Sequence, residues 1–470
     1  MSLDSFAPYR DRMEKAGLSE AAICAFRHSY GVLKSGKTSF IAEDSILPVD
    51  RLPEGSDIPA LPVKDAAPLL AKTVVIKLNG GLGSSMGLDR AKSLLTVRPG
   101  STFLDLIARQ ILALRHISGE PVPFLLMDSY ATSRDTREFL LRYPELGPPE
   151  SWELMQNRIP KVDAHTFLPA SWPADLDLEW CPPGHGDLYP SLLGSGWIER
   201  LLEQGVRFAF VSNADNLGAT LDPGLLQHFA KSGAPFLMEV TRRTPADRKG
   251  GHIALDAVSN ALLLRESAQC PPGDEEAFQD IDRHRYFNTN NIWFRLDALR
   301  DALAEHGGAL PLPVIRNPKT IDPRDPASPQ VYQLETAMGA AIACFPEAAA
   351  LSVDRERFAP VKTTDDLFVL RSDACIRTED HRIVLHSSRN GLPPSVRLDP
   401  QHFKTVDLFD AAFEGEIPSL RTCRSLRVEG PVRFSSNTVF TGDVAVISRG
   451  PGPASLPPGA YADQTIRLPL

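Results

Sequence analysis

The segment that most limits the possible folds is an apolar, β-prone run at residues 74–78, which leads directly into four glycines within eight residues, 80–87. A run of this kind predicts a buried strand. Glycines tolerate positive φ angles, and they let backbone N–H groups approach a ligand without an intervening Cβ atom. The sequence therefore predicts a strand that ends in an anion-binding turn.

Two common phosphate-binding patterns do not fit this turn. A P-loop needs a glycine directly before its lysine, whereas Lys92 follows Ala91. A dinucleotide fingerprint fails because Gly81 and Gly83 are followed by Met86 where the third glycine belongs. Lys92 is placed where a cation reaches phosphate oxygens held by the turn, but a solvated surface lysine is an equally good interpretation.

Further β-prone runs alternate with helical patterns, which is typical of an α/β domain around a mostly parallel sheet. The predicted strands span residues 73–78, 123–128, 207–212, 236–241 and 286–294. The predicted helices span residues 102–115, 194–204 and 336–344. Because ligands of such sheets bind at the carboxyl ends of the strands, we expect the functional residues there.

The chain is predicted to have three parts. Residues 1–62 combine a helical pattern at 13–33 with a polar, proline-containing connection at 46–62, which indicates an arm packed on a larger domain. The α/β alternation occupies residues 63–375. Residues 376–470 change to short β-prone pieces, typical of a small β domain with solenoid-like spacing. The turn residues between these pieces are Gly430, Asn437, Gly442 and Gly450.

Charge and composition exclude several classes of protein. A net charge of −9 argues against nucleic-acid binding, which needs clustered Lys and Arg. The six cysteines form no Cys-x-x-Cys pair and are expected to be free thiols in a reducing cytosol. No apolar stretch approaches the ~20 residues of a membrane-spanning helix, and the amino terminus lacks an apolar signal core. We therefore expect a cytoplasmic protein without nucleic-acid or membrane partners.

Two further segments carry candidate ligand-binding residues. Gly184, His185 and Gly186 follow two prolines, a composition suited to a rigid loop edge against a base or ribose, although an ordinary turn is the commoner interpretation. Asp215 lies just beyond the predicted strand 207–212. Mg²⁺ prefers one or two carboxylates together with phosphate oxygens and water, so Asp215 is the candidate metal ligand.

Other polar residues suit a sugar phosphate. Asn288, Asn290 and Asn291 are three carboxamides at the start of a predicted strand, and amides both donate to and accept from hydroxyl groups. Glu335 is predicted at the start of a helix, where it accepts from a hydroxyl or serves as an ordinary first-turn acid. Lys362 offers a second cation, beside threonines that are equally suited to capping a helix.

The chain resembles the eukaryotic-type UTP–glucose-1-phosphate uridylyltransferase family in ordered segments: LNGGLGSSMG with AKS, MDSYATSRDT, MQNRIPKV, PPGHGD, SNADNLG, MEVTRRTPADRKGG, FNTNNIWF, QLETAMGAAI and FAPVKTTDDL. They span residues 72–373, and PSLRTCRSLRVEGPVRF resembles that family's carboxyl-terminal β domain. The resemblance implies a Rossmann-like, GT-A-like nucleotidyltransferase fold, with a mixed sheet flanked by helices. It also implies a left-handed β-helix-like carboxyl-terminal domain.

The resemblance also implies residue roles. Lys92, Lys362 and Asp215 would be catalytic, and Asp215 would bind Mg²⁺. The residues implied to bind the nucleotide are Leu78, Asn79, Gly80, Gly81, Gly83, Gln156, Gly184 and Asn213. The residues implied to bind the sugar phosphate are His185, Gly250, Gly251, Asn290 and Glu335.

The implied reaction joins UTP and glucose 1-phosphate to give UDP-glucose and pyrophosphate. Ala91 stands where the family usually has Pro, and Asn157 where Ser is common, but neither change removes a charged group. Two alternatives remain open, namely an enzyme for another hexose 1-phosphate and a non-catalytic UDP-sugar-binding relative. The family's carboxyl-terminal domain can mediate assembly, so both a monomer and a homo-oligomer are compatible with the sequence.

Overall fold

The computed structural model of the protein describes residues 5–469, so the first four residues of the predicted arm lie outside the described range. The α-helices are α1 (Ala7–Lys15), α2 (Glu20–Lys34), α3 (Ala67–Leu70), α4 (Phe103–Ser118), α5 (Ser133–Leu140), α6 (Leu188–Gly194), α7 (Trp197–Glu203), α8 (Pro223–Ser232), α9 (Glu275–Gln279), α10 (Leu296–Glu305), α11 (Thr364–Arg371), α12 (Pro400–Phe403) and α13 (Val406–Asp410).

The strands fall into two groups along the chain. The first group is β1 (Ile46–Pro48), β2 (Thr73–Asn79), β3 (Thr96–Arg98), β4 (Ser101–Thr102), β5 (Phe124–Asp128), β6 (Glu153–Met155), β7 (Ile159–Pro160), β8 (Val162–Asp163), β9 (Trp180–Cys181), β10 (Phe208–Asn213), β11 (Phe236–Arg242), β12 (His252–Asp256), β13 (Leu262–Arg265), β14 (Tyr286–Arg295), β15 (Val314–Thr320), β16 (Gln330–Thr336) and β17 (Ala349–Ser352). The second group is β18 (Cys375–Arg377), β19 (Ile383–Leu385), β20 (Ser395–Arg397), β21 (Phe413–Glu414), β22 (Ser419–Glu429), β23 (Val432–Ser435), β24 (Thr438–Ile447), β25 (Ala454–Leu456), β26 (Gly459–Ala462) and β27 (Thr465–Arg467).

The central sheet is mixed, with the strand order β1-β12-β14-β10-β2-β5-β6. Strands β10, β2, β5 and β6 run parallel to one another, whereas β14 is antiparallel to both β10 and β11. The expectation of a mostly parallel sheet therefore holds for the β10-β2-β5-β6 part and for the β11-β17 pair, but not for the rest of the sheet. These parallel strands bring their carboxyl ends to one edge of the sheet.

Helices cover both faces of this sheet because its strands are apolar on both sides. On β2, Val75 packs in the core that contains α4 and α8. Val74 and Ile76 point to the opposite face and pack in the core that contains α6, α7 and α10. The protein is thus an α/β structure with a central mixed sheet and helices on either side.

The predicted strands agree with the structure within one residue at each end, but two predicted helices need correction. The pattern at residues 13–33 forms two helices, since Gly17 adopts a φ of +74° and Ser19 starts α2 by accepting from the Ala22 N–H. Likewise, the pattern at 194–204 contains the end of α6 and all of α7, separated by Gly196 at a φ of +73°.

The predicted helix at residues 336–344 is also wrong at its start. β16 continues to Thr336 because it pairs with β15, which places Ile315 opposite Glu335. The residues that follow, Met338–Cys344, form a 3₁₀ helix rather than an α-helix. Glu335 is therefore a strand residue, and its interpretation as a first-turn helical acid is wrong.

The amino-terminal arm contacts the rest of the protein in two ways. Helices α1 and α2 pack in a small core with β7, β9 and β16. The polar connection at 46–62 contains β1, which pairs antiparallel with β12, Ile46 lying opposite Asp256. No helix within residues 5–469 is long and apolar enough to span a membrane. The six cysteines lie in this range, and none forms a disulfide.

The carboxyl-terminal strands begin with the antiparallel pair β18-β19, and β20 to β27 then form two parallel sheets. One has the order β20-β22-β24-β26, with β27 also on β24, and the other has the order β21-β23-β25. Gly430 and Asn437 lie between strands, as predicted, and have positive φ angles. Gly442 was also predicted in a turn, but it lies within β24, where it has a φ of +65°. The core of these strands is continuous with that of α4 and α11, and the rings of Phe368 and Phe434 lie 5.7 Å apart.

Candidate active site

A cavity of about 330 Å³ lies at the carboxyl ends of the parallel strands β2, β5 and β10. It contains most of the residues that the sequence assigned to the nucleotide and phosphates. The predicted residues that line it are Leu78, Asn79, Gly80, Gly81, Lys92, Gln156, Gly184, His185, Asn213 and Asp215. Gly83, Gly250, Gly251, Asn290, Glu335 and Lys362 do not line it. The edge of the sheet is the one where parallel α/β structures bind ligands.

One wall of the cavity joins the glycine turn to Gln156. A Cβ atom on Gly80 would lie 2.7 Å from Gln156 Oε1, so only glycine leaves this amide in place. Gln156 Nε2 donates to the Gly184 carbonyl at 2.9 Å. Gly184 has a φ of +81°, and a Cβ there would lie 2.5 Å from the Thr336 carbonyl oxygen. The glycines at these two positions therefore allow three separate segments to meet.

Gly83 shapes the turn from outside the cavity. Its carbonyl accepts from the N–H groups of Met86 at 2.8 Å and Leu88 at 3.2 Å. A Cβ at this position would lie 2.6 Å from Leu88 Cδ1. The Gly81 carbonyl accepts from the Lys92 N–H at 3.1 Å, which places the lysine at the base of the turn.

Asn79 is held by a buried carboxylate beneath the cavity. Its Nδ2 donates to Asp128 Oδ1 at 2.6 Å and to Thr136 Oγ1 at 3.0 Å. Asp128 Oδ2 is buried without a partner, and burial raises the pKa of Asp128 to about 7. Ser129 Oγ donates to the Gly80 carbonyl at 2.9 Å. The sequence segment that contains Asp128 thus supports the glycine turn, a role that its composition did not reveal.

Lys92 and Asp215 form an ion pair across the cavity. Lys92 Nζ lies 2.6 Å from Asp215 Oδ2, and about a fifth of each side chain is exposed. Asp215 Oδ1 is buried and has no partner. A carboxylate oxygen with this unmet capacity fits a divalent cation. Within the described residues, no group of three or more His, Cys, Asp and Glu side chains could hold a metal ion, so phosphate oxygens and water would supply its other ligands.

Lys362 is exposed and does not line the cavity, but its backbone runs beside the segment that carries Asp215. The N–H of Val361 donates to the Asp215 carbonyl at 3.3 Å. The neighbouring Thr363 forms a capping box with Asp366 at the start of α11, so the predicted helix start is confirmed. The backbone therefore places Lys362 beside the loop that carries Asp215.

His185 is a neutral hydrogen-bond donor at the cavity. Its Nδ1 accepts from the Met338 N–H at 3.0 Å, which leaves the proton on Nε2. Burial lowers the pKa of His185 from 6.5 to about 4. Near neutral pH the ring is uncharged, and the Nε2–H group is available to a ligand.

A second cluster of polar residues and glycines consists of Gly250, Gly251, Glu266, Asn288 and Asn290. All of these residues except Glu266 were identified from the sequence. A Cβ on Gly251 would collide with the carboxylate of Glu266, and one on Gly250 with the ring of Phe287. Asn290 lies in a bulge of β14 with a φ of +59°. Its Oδ1 accepts from Asn288 Nδ2 at 2.9 Å. Gly251 and Asn288 lie beside the Glu266 carboxylate, which the sequence analysis missed.

Glu266 has the environment of a functional carboxylate. Burial raises its pKa, while a hydrogen bond from Asn288 and the charge of Lys362 oppose that shift. It follows β13, a short strand that the sequence did not predict, and no motif distinguishes it. Glu335 accepts from Asn317 Nδ2 at 2.9 Å, and its Cβ would lie 3.1 Å from a Cβ added at Gly184.

The fold and the cavity together define an α/β protein of the nucleotidyltransferase class, with a glycine turn, a lysine and a carboxylate at the carboxyl ends of parallel strands. A family model described as UTP--glucose-1-phosphate uridylyltransferase matches residues 25–441. The chain belongs to the UTP–glucose-1-phosphate uridylyltransferase family.

Curated relatives and solved structures agree with this membership. The chain is 38% identical over 420 residues to the UTP--glucose-1-phosphate uridylyltransferase of Solanum tuberosum, which covers 89% of this chain and 85% of the relative. The Saccharomyces cerevisiae protein of the same name is 39% identical over 398 residues, covering 84% and 78%. A mutant UDP-glucose pyrophosphorylase from Leishmania major, in complex with UDP-Glc, has a TM-score of 0.95 and 46% identity, covering 99% of this chain and 100% of that one.

Proposed function

We propose that the protein transfers the uridylyl group of UTP to glucose 1-phosphate, which yields UDP-glucose and pyrophosphate. Family membership supports the reaction, and the Leishmania major structure bound to UDP-Glc supports the product. The observation that carries the proposal is the Lys92–Asp215 ion pair, which faces the glycine turn in one cavity. It places a cation and a potential metal ligand where a nucleoside triphosphate binds.

The nucleotide-binding wall is the one formed by Gly80, Gln156 and Gly184. Gln156 Nε2 already donates to the Gly184 carbonyl, so its Oε1 is free to accept from the N3–H group of uracil. Cytosine has no hydrogen on N3 and would leave that oxygen unpaired, which costs binding free energy. The Gly81 backbone and Asn213 lie farther along the same cavity, where they meet the ribose and phosphates.

The phosphates lie toward Lys92, Asp215 and Lys362. Lys92 and Lys362 supply positive charge, and His185 donates from Nε2 as a neutral group. Mg²⁺ held by Asp215 would add positive charge at the phosphate oxygens. The unpartnered, buried Oδ1 of Asp215 supports this assignment, because Oδ2 is already paired with Lys92.

The reaction needs no protein nucleophile. A phosphate oxygen of glucose 1-phosphate is anionic near pH 7 and forms a bond to the α-phosphorus of UTP. The bond between that phosphorus and the bridging oxygen to the β-phosphorus breaks, and pyrophosphate leaves with the electron pair. The protein aligns the two substrates and neutralises charge in the transition state through Lys92 and Lys362.

The hexose occupies the second cluster. Glu266, Asn288 and Asn290 offer a carboxylate and two amides, which bind sugar hydroxyls, and Gly250 and Gly251 leave room for the ring. Glu335 packs against the loop that carries Gly184 and His185, and its carboxylate accepts from Asn317. Its proposed contribution is to support the His185 loop rather than to contact the sugar.

Several features of the whole chain belong to the same proposal. Two stacks of parallel strands after residue 376 support a left-handed β-helix-like domain, with the arm at 1–62 and the catalytic domain at 63–375. The family resemblance supports assembly through that domain. Six unpaired cysteines support a reducing, cytoplasmic location.

The test is a pyrophosphate-release assay with UTP, Mg²⁺ and each of glucose, galactose and N-acetylglucosamine 1-phosphates. We expect release with glucose 1-phosphate and loss of release when EDTA removes the metal. Preference for another sugar would keep the reaction type and replace the substrate. Binding of UDP-glucose without release from any sugar phosphate would identify a non-catalytic relative and overturn the proposal.

A further inference from the structure

Asp215 and Lys362 are distant in the sequence but lie on two segments that run side by side. Residues 214–220 follow β10, and residues 355–362 precede α11. The segments meet in a β-bridge between Asn216 and Pro360. A Cβ on Gly218 would overlap the carbonyl oxygen of Glu356, so the two backbones are in direct contact.

Asn216 is the side chain that joins the two segments. It is 2% exposed, and its Oδ1 accepts from the Ala359 N–H at 3.1 Å. Its Nδ2 donates to the Arg357 carbonyl at 3.0 Å. Both functions of the amide are therefore used on the segment that carries Lys362, while the residue itself is the sequence neighbour of Asp215.

A buried ion pair anchors this junction to the central sheet. Glu239 on β11 is fully buried and accepts from Arg357 Nε at 2.8 Å and Nη2 at 2.7 Å. Asn291 Nδ2 and Trp293 Nε1 also donate to it, at 3.0 and 2.9 Å. A buried carboxylate with four hydrogen bonds has the partners that its desolvation requires. Arg357 is thus fixed relative to the sheet.

The same arginine also holds the Asp215 loop. Arg357 Nη2 donates to the Thr220 carbonyl at 3.0 Å. One residue earlier, the Ala219 carbonyl accepts from Lys77 Nζ at 2.6 Å, and Lys77 lies on β2. The loop is therefore tied to the sheet at its far end, and Asn216 ties it to the Lys362 segment close to the cavity.

From these contacts we propose that Asn216 is a positioning residue that sets Lys362 relative to Asp215 during uridylyl transfer. The inference rests on the proposed function, because it assigns the two residues to the phosphates. Neither side chain contacts the other, so their separation depends on the backbones that Asn216 joins. Charge-stabilising groups lose much of their effect when they are misplaced by about 1 Å.

The first test is Asn216→Leu, which keeps the branched shape of the side chain and removes its hydrogen bonds to the Lys362 segment and to Asn291. We expect kcat to fall on the order of 10²-fold. The Kd for UTP, measured by calorimetry, should stay close to the wild-type value, since Gly80 and Gln156 lie on the other wall. The control is Thr73→Val, which removes a buried hydrogen bond to the Leu69 carbonyl at the opposite end of β2. The control should keep the wild-type kcat.

A double-mutant cycle with Lys362→Ala separates positioning from a general loss of structure. If Asn216 acts through Lys362, then adding Asn216→Leu to Lys362→Ala lowers kcat much less than it does in the wild type. A structural role alone would lower the melting temperature and leave kcat per folded molecule unchanged. Should Asn216→Leu not fold, Asn216→Ser removes the amide without adding bulk and should also lower kcat at unchanged Kd.

The outcomes distinguish this inference from the proposed function. A wild-type protein that makes no UDP-glucose overturns both. An active wild type with normal kcat in Asn216→Leu, or in Asn216→Ser where the first variant does not fold, overturns the positioning role alone. The positioning role is also overturned if the decrease in kcat of the double mutant equals the product of the decreases in the two single mutants.

Discussion

Lys92 Nζ and Asp215 Oδ2 lie 2.6 Å apart, and this ion pair joins the two sides of the cavity. The lysine comes from the segment after the glycine turn, and the carboxylate follows the neighbouring parallel strand β10. Because Oδ1 of Asp215 has no partner, the carboxylate can hold a cation on one oxygen and Lys92 on the other. On the proposed function, this one acidic residue would organise two positive charges for the phosphates of UTP.

Replacement of Lys362 by Ala is expected to lower kcat on the order of 10²-fold, because a charge that stabilises the transition state is lost. Binding of UTP should change far less, since Lys362 lies outside the nucleotide-binding wall. Steady-state kinetics and calorimetry measure the two effects. Lys231→Ala, at an exposed position on α8, is the matched control. A near-normal kcat in Lys362→Ala would exclude the electrostatic role.

Gly80→Ala should weaken UTP binding, because its Cβ would lie 2.7 Å from Gln156 Oε1 and displace that amide. We expect KM for UTP to rise about 10-fold, the equivalent of about 1.4 kcal/mol. Gly452→Ala is the control, since no atom lies within 4 Å of its added Cβ. Equal KM values for the two variants would show that Gln156 does not contact the base.

Two substitutions of Asp128 should separate its charge from its hydrogen bonds. Asp128→Asn keeps an oxygen that accepts from Asn79, so KM for UTP should be close to the wild-type value. Asp128→Ala removes that hydrogen bond and should raise KM for UTP about 10-fold.

The difference in stability between Asp128→Asn and the wild type should grow in favour of the variant as pH rises. The pKa of Asp128 is raised from 3.8 to about 7, so the folded state of the wild type loses stability as pH increases through this window. The gain in melting temperature of Asp128→Asn over wild type should therefore be larger at pH 8 than at pH 5. The reverse order would contradict the buried position of the carboxylate.

His185 should make the stability of the protein fall in mild acid. Its pKa is about 4 in the folded state and 6.5 when exposed, so the unfolded state binds more protons between these values. The contribution of neutral His185 to stability is fully present above pH 6.5 and declines as pH falls toward 4. Below pH 4 the ring causes no further loss. The drop in melting temperature from pH 7 to pH 5 should be smaller in His185→Gln. Identical drops would show that the ring is not held neutral.

The strands and the glycine turn after β2 could be predicted because the local sequence determines them. The run that forms β2 is apolar on both faces, and the glycines after it are required by real close contacts, such as that of Gly80 with Gln156. The Asn213–Asp215 phrase directly follows a buried strand, so its place at the edge of the sheet follows from topology.

Other features depended on contacts between distant segments. Glu335 lies in a strand because β15 pairs with it, and the helix-like composition after it gives no sign of that pairing. Asn290 takes a positive φ in a bulge that exists only against β11. Glu266 can be recognised as a candidate functional carboxylate only from its contacts with Gly251 and Asn288, which are distant in the sequence. Such residues become recognisable when the tertiary structure is known.

The stereochemical course at the α-phosphorus tests the central claim most directly, namely a single displacement between UTP and glucose 1-phosphate in this cavity. The measurement uses UTP with one sulfur on the α-phosphorus and determines the configuration of the UDP-glucose analogue formed by the purified protein. A direct in-line attack inverts the configuration, whereas a covalent uridylyl–protein intermediate gives retention through two displacements. We predict inversion. Retention would contradict the account.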